Sequence, residues 1–168
     1  MENISENYHP LPQPDEVTVR ECEDAMGAYF MMFAAIGAGL PLPIINLIAS
    51  IIYYYINKSN SRFVKFHTLQ SLISQIPLTI LNAVLVFWAF RIFFYASVSY
   101  DQTFQGFMIM VILANLSYFI FSIIAAIRAR KGRFYYFIFF GKIAYENTFK
   151  ISTDANNFHE IVNKPPAI

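Results

Sequence analysis

The chain of 168 residues is 57% hydrophobic and 18% aromatic, with only 14% charged residues. Soluble domains carry about 25% charged residues, so these proportions exclude an ordinary water-soluble fold and point to an all-α integral membrane protein. The net charge of +1 hides a segregation: seven of the eleven acids precede Ala25, and eleven of the twelve cations follow it. In a membrane protein that asymmetry reports topology rather than nucleic-acid binding.

Residues 1–17 form an acidic arm with Pro10, Pro12 and Pro14 at alternate positions. That spacing denies a helix and predicts a disordered, extended segment. The start lacks a basic region followed by a short apolar run, so a cleaved signal peptide is not expected. Thr18-Val-Arg-Glu21 reads as a capping box that opens the helical membrane domain, residues 18–149. Acidic Glu21, Glu23 and Asp24 suit the positive end of the helix dipole.

From Ala25 to Asn57 no residue is charged, a run of 33. Crossing the hydrocarbon takes about 20 residues, so the run is long for one span and short for two. Pro41 and Pro43 remove amide donors in its middle. The expectation is one proline-kinked span over 26–57, with a re-entrant hairpin around the prolines as the alternative. Small residues at Ala34/Ala38 and Ala35/Gly39 would let a neighbouring helix approach closely.

A basic turn, Lys58 to Lys65, leads into a second span over 66–90. At 100° per residue, His67, Gln70, Ser71, Ser74, Gln75, Thr79 and Asn82 occupy one half of that helix. A polar face of this size cannot sit against lipid. An aromatic connection around Asp101 precedes a third span over 105–127, in which Asn115, Tyr118 and Ser122 share a face. Asn82 and Asn115 both fall near mid-membrane, where a direct or relayed hydrogen bond is expected. After Arg128 to Arg133 comes a run of seven apolar residues from Phe134. It is too short to cross and is expected to lie in the interface over 134–145. A polar tail, 150–168, closes the chain.

The cations between the first two spans and after the third predict a cytoplasmic C-terminus and, with three spans, an N-terminus outside. Cys22 is the sole thiol, and His9, His67 and His159 have no partners at metal-ligand spacing. Between Met26 and Lys142 the one carboxylate is Asp101, in a connection. No acid lies within a span for proton coupling or aspartyl chemistry, and His67 near Ser71 lacks an orienting acid. A non-enzymatic protein without cofactor or metal is expected.

Phe66-His67-x-x-Gln70 after a basic turn, a proline-bearing first segment and Ala126-x-x-Ala129-x-x-Gly132 before aromatics form a pattern over roughly residues 22–145. It resembles bacterial membrane proteins related to the twenty-kilodalton subunit of the chloroplast inner-envelope import translocon. For the plastid relatives the resemblance implies a role in a protein-conducting complex, and for most bacterial relatives no known activity; no ligand residues carry over.

The expected function is therefore that of a packing or accessory subunit of a larger membrane complex in the bacterial inner membrane. Its partners would be the lipid bilayer and either membrane proteins or further copies of the chain. The alternative is an oligomeric small-solute channel or carrier lined by the polar face of span two. The residues singled out for structural or interaction roles are His67, Gln70, Ser74, Asn82, Asn115, Pro41 and Pro43.

Overall fold

The computed structural model describes residues 8–37, 43–95 and 100–151. Within them the chain forms α1 (Val19–Phe30), a 3-10 turn (Met31–Phe33), α2 (Ala34–Gly37), α3 (Pro43–Asn57), α4 (Arg62–Phe94), α5 (Gln102–Arg130) and α6 (Phe140–Phe149). The only β pairing among the described residues is an isolated bridge between Tyr8 and Lys150.

Side chains fix where the helices begin. The Thr18 oxygen accepts from the Glu21 amide while the Glu21 carboxylate accepts from the Thr18 amide, the reciprocal box read from the sequence. Ser61 caps α4 through the Val64 amide, and Asp101 caps α5 through the Phe104 amide at 2.9 Å. These caps lie outside the apolar cores, so α4 and α5 run several residues beyond the expected 66–90 and 105–127. Both are long and apolar enough to cross a membrane.

The first apolar run departs from the expected kinked span. It folds back on itself: α3 returns along α2 and the 3-10 turn, and its end reaches α1. The Tyr53 hydroxyl donates to the Asp24 carbonyl at 2.9 Å, and the Asn60 amide donates to the Asp24 carboxylate at 3.3 Å. Pro43 is the first residue of α3, where its missing N–H is not needed and its fixed φ suits a helix start. Pro41 lies outside the described residues, as do Ala38, Gly39 and the tail from 152.

α1 fits between the halves of the α4–α5 hairpin at the end bearing the basic turn. Ala25, Tyr29, Phe63, Val64, Ala125, Ala126, Ala129 and Phe137 form its core. Ala25 of α1 shares this core with Ala125 and Ala129 of α5. Beyond α1, α4 and α5 meet through Trp88 against Phe104 and Phe107.

The segment after α5 also turns back. Gly132, with φ +66°, ends α5, and the Arg133 amide donates to the Arg128 carbonyl at 3.0 Å, a Schellman-type stop. Residues 133–137 are not helical, and Phe137 is buried against Tyr29, Tyr118 and Phe121. At Phe139 (φ 69°, ψ −54°) the Phe140 amide bonds the Ile138 carbonyl, a γ-turn, which is a strained conformation. α6 then returns along α4. The aromatic stretch is therefore an inward-packed loop followed by a returning helix. Its end meets the arm: the His9 amide donates to the Phe149 carbonyl at 2.8 Å and Tyr8 stacks on Tyr145. The described part of the arm, residues 8–17, is thus packed onto the helical domain; Pro14 lies where a Cβ on Gly132 would go.

Candidate functional site: a buried polar seam along α4

The polar face of α4 faces α1, α5 and the aromatic loop; His67, Gln70, Ser71, Ser74, Gln75 and Thr79 are all buried. Gln70 is fully enclosed, and its partners fix its orientation. Its Nε2 donates to the Tyr135 carbonyl at 2.9 Å, and its Oε1 accepts from the Phe137 amide at 3.2 Å. The side chain thereby does for an extended backbone what a neighbouring strand would do. Non-helical backbone is tolerated at membrane depth only where protein satisfies it.

The second Nε2 hydrogen of Gln70 goes to the Tyr29 hydroxyl at 2.9 Å. That oxygen, already accepting, spends its single proton on His67 Nδ1 at 2.8 Å. The network thus assigns His67 as the neutral Nε2–H tautomer. Its Nε2 has no hydrogen-bond partner among the described residues and the ring sits among aromatics: Phe134 stacks on it at 5.7 Å, and Phe63 and Phe66 lie edge-to-face with it at 4.6 and 5.1 Å.

One turn further, Ser71 donates to the Ala28 carbonyl of α1 at 2.8 Å, and Ser74 donates to the Ser71 carbonyl. Tyr118 of α5 brings its hydroxyl in beside Ser74 and Ser122 without completing a hydrogen bond there. Further along, Asn82 and Asn115 exchange two amide hydrogen bonds at 3.1 and 3.0 Å. Each also donates to a carbonyl four residues back in its own helix.

The charged end is built separately. Glu23 pairs with Arg130 at 3.1 Å across α1 and α5, and Lys65 donates to the Asn147 carbonyl of α6. Burial opposes ionisation of Glu21, but hydrogen bonds from the Thr18 hydroxyl and amide hold its carboxyl below the usual range. Burial pushes the Cys22 thiol up. Among the described residues no three His, Cys, Asp or Glu side chains gather as a metal site.

Of the residues singled out from the sequence, His67 and Gln70 belong to one network, Ser74 to the next turn, and Asn82 and Asn115 to a separate pair. Tyr29, Tyr135 and Phe137 complete the network and were not singled out. Tyr29 could have been suspected as a phenol in an apolar helix. The other two contribute backbone atoms, which leave no sequence signal.

The model of the magnetosome magnetite crystal formation proteins (MamF/MmsF) matches residues 24–144, from within α1 to within α6, a stretch that contains the seam. The chain belongs to this family. It is a family of membrane proteins, which agrees with the two membrane-capable helices of the chain. The magnetosome family match shows no link to the plastid import subunit. No curated protein and no solved structure matches the chain.

Proposed function

We propose that this member of the magnetosome protein family is a non-catalytic membrane subunit that works by packing with other membrane proteins or with copies of itself. The observation that carries this reading is where the seam's polar groups go. Gln70, Tyr29 and His67 bond one another and the aromatic loop, Ser71 bonds α1, and the two asparagines bond each other. A face spent on internal bonds supports a packing role and leaves little to line a solute path.

In this proposal α4 and α5 cross the membrane, while α1–α3 and the loop–α6 unit enter and leave from one side. Lys58, Arg62, Lys65, Arg128, Arg130, Lys131 and Arg133 cluster at that end, which the positive-inside rule makes cytoplasmic. The acidic arm joins them there, so both ends of the described chain are cytoplasmic, in place of an outside N-terminus.

The family description names magnetite crystal formation. The connection between α4 and α5, which would face the mineral side, has one carboxylate, Asp101, and it is engaged in capping α5. A share in crystal formation would therefore run through organising the membrane and its proteins, not through carboxylate contact with iron.

Mild-detergent extraction from native membranes tests the proposal. The protein should leave the membrane with stoichiometric membrane-protein partners or as a homo-oligomer. Recovery as a lone monomer, or solute flux through liposomes carrying the purified protein, would contradict it.

A further inference from the structure

Between its two hydrogen-bonded networks the seam passes a small cleft. A cavity of about 60 Å³ is bounded by Met32 from the 3-10 turn, Asn46 from α3, Gln75 and Asn82 from α4, and Asn115 and Tyr118 from α5. It lies where the deep end of the α1–α3 hairpin meets the membrane-crossing pair. Gln75 Oε1 and the Tyr118 hydroxyl are fully buried, and among the described residues neither completes a hydrogen bond.

Groups of this kind in native proteins are paired with protein or with ordered water. Lipid chains cannot supply the missing bond, and a site for one water needs about 10–15 Å³ of water-accessible volume with two to four polar partners. The cavity meets both requirements. Its lining is amides, hydroxyls and apolar groups with no carboxylate, so a cation entering it would find no counter-charge. Tyr118 also lines an adjoining apolar cavity of about 290 Å³ beneath Tyr135 to Phe140, so its ring is the wall a water would pass.

We propose that this cavity is a structural hydration site, in which ordered water bonded to Gln75 Oε1 and the Tyr118 hydroxyl joins the hairpin tip to α4 and α5. The bound water makes the seam continuous from His67 to Asn115 and holds the hairpin at its depth.

X-ray radiolytic footprinting of the intact protein in nanodiscs tests this, because radicals form from bound water and oxidise the nearest methionine. Met32 should be oxidised several-fold faster than Met110, which is exposed on the outer face of α5. In Tyr118→Phe/Gln75→Leu the Met32 rate should fall to that of Met110. Equal rates for the two methionines in the unmodified protein would overturn the proposal. Melting of the single variant Tyr118→Phe gives a second reading that does not depend on labelling. Loss of a water-bonded hydroxyl lowers the melting temperature by a few degrees, whereas a rise would show a hydroxyl that had no partner to lose. A melting temperature that shifted when sodium replaced choline at fixed ionic strength would put a cation in the cavity and also overturn the proposal.

Discussion

Gln70 donates to the hydroxyl of Tyr29, 41 residues earlier in the chain, while its other amide atoms hold the backbone at Tyr135 and Phe137. One side chain of α4 thus joins the first helix of the hairpin to the inward aromatic loop. Neither of those two elements is among the helices long and apolar enough to cross a membrane, and both bond the same residue.

Replacing Gln70 by Leu should therefore be among the most damaging single changes. It strands the Phe137 amide and the Tyr135 carbonyl, and an unsatisfied buried backbone group costs about 1–3 kcal/mol. A drop of about 2–4 kcal/mol in unfolding free energy is expected by this reckoning, with new proteolytic cleavage between 133 and 140. Cleavage unchanged from the unmodified protein would show that the loop is held by its aromatics alone.

The Tyr29–His67 bond lends itself to a double-mutant cycle with Tyr29→Phe and His67→Ala. Side-chain hydrogen bonds between membrane helices average about 0.6 kcal/mol and reach about 1.7. The coupling here should fall towards the upper end of that range, because both groups are fully enclosed. His67→Ala alone should cost more than the coupling, since it also opens a hole among Phe63, Phe66 and Phe134. Zero coupling would mean that the two groups are neighbours without a bond.

Asn82 and Asn115 predict a sign reversal. Asn82→Leu should lower stability by about 1 kcal/mol, because it leaves the Asn115 amide facing an apolar group. Adding Asn115→Leu should recover most of the loss, since replacing both members of a pair by apolar groups is nearly neutral. Additive losses, read from melting in a fixed detergent, would indicate that the two asparagines do not bond each other.

The polar half of α4, the capping box at Thr18 and the meeting of Asn82 with Asn115 are all legible in the sequence, because each rests on spacing within one helix or on depth in the bilayer. The hairpin is harder to read. An uncharged run of 33 residues has the same hydropathy whether it is one long kinked helix or two short ones. What separates the two is the Tyr53–Asp24 contact, made by groups 29 residues apart. The inward loop is invisible for a related reason: aromatics flanked by cations suit an interface, and the partner that draws them inward, Gln70, lies 65 residues earlier. Two of the three expected spans correspond to membrane-capable helices, and of the residues marked as structural His67 and Gln70 are the ones bonded to the hairpin and the loop.

Gly132 connects the arm to this arrangement. A Cβ there would face a left-handed φ of +66° and would lie 3.0 Å from the Pro14 carbonyl oxygen. Gly132→Ala should cost about 1–2 kcal/mol from the backbone conformation alone. It should also lift the arm, seen as faster amide exchange at residues 9–17. Faster exchange confined to the end of α5 would show that the arm's position is independent of Pro14.

The central claim is that the first apolar run enters and leaves the membrane on the same side, and cysteine accessibility tests it most directly. In a Cys22→Ser background, Asp15→Cys, Ser59→Cys and Thr103→Cys place exposed thiols on the arm, after α3 and at the start of α5. With a membrane-impermeant maleimide, Asp15→Cys and Ser59→Cys should both be protected in intact cells and labelled in inverted vesicles, with Thr103→Cys showing the opposite pattern. Labelling of Asp15→Cys in intact cells while Ser59→Cys stays protected would mean that the run crosses the membrane once, and the hairpin account would fail.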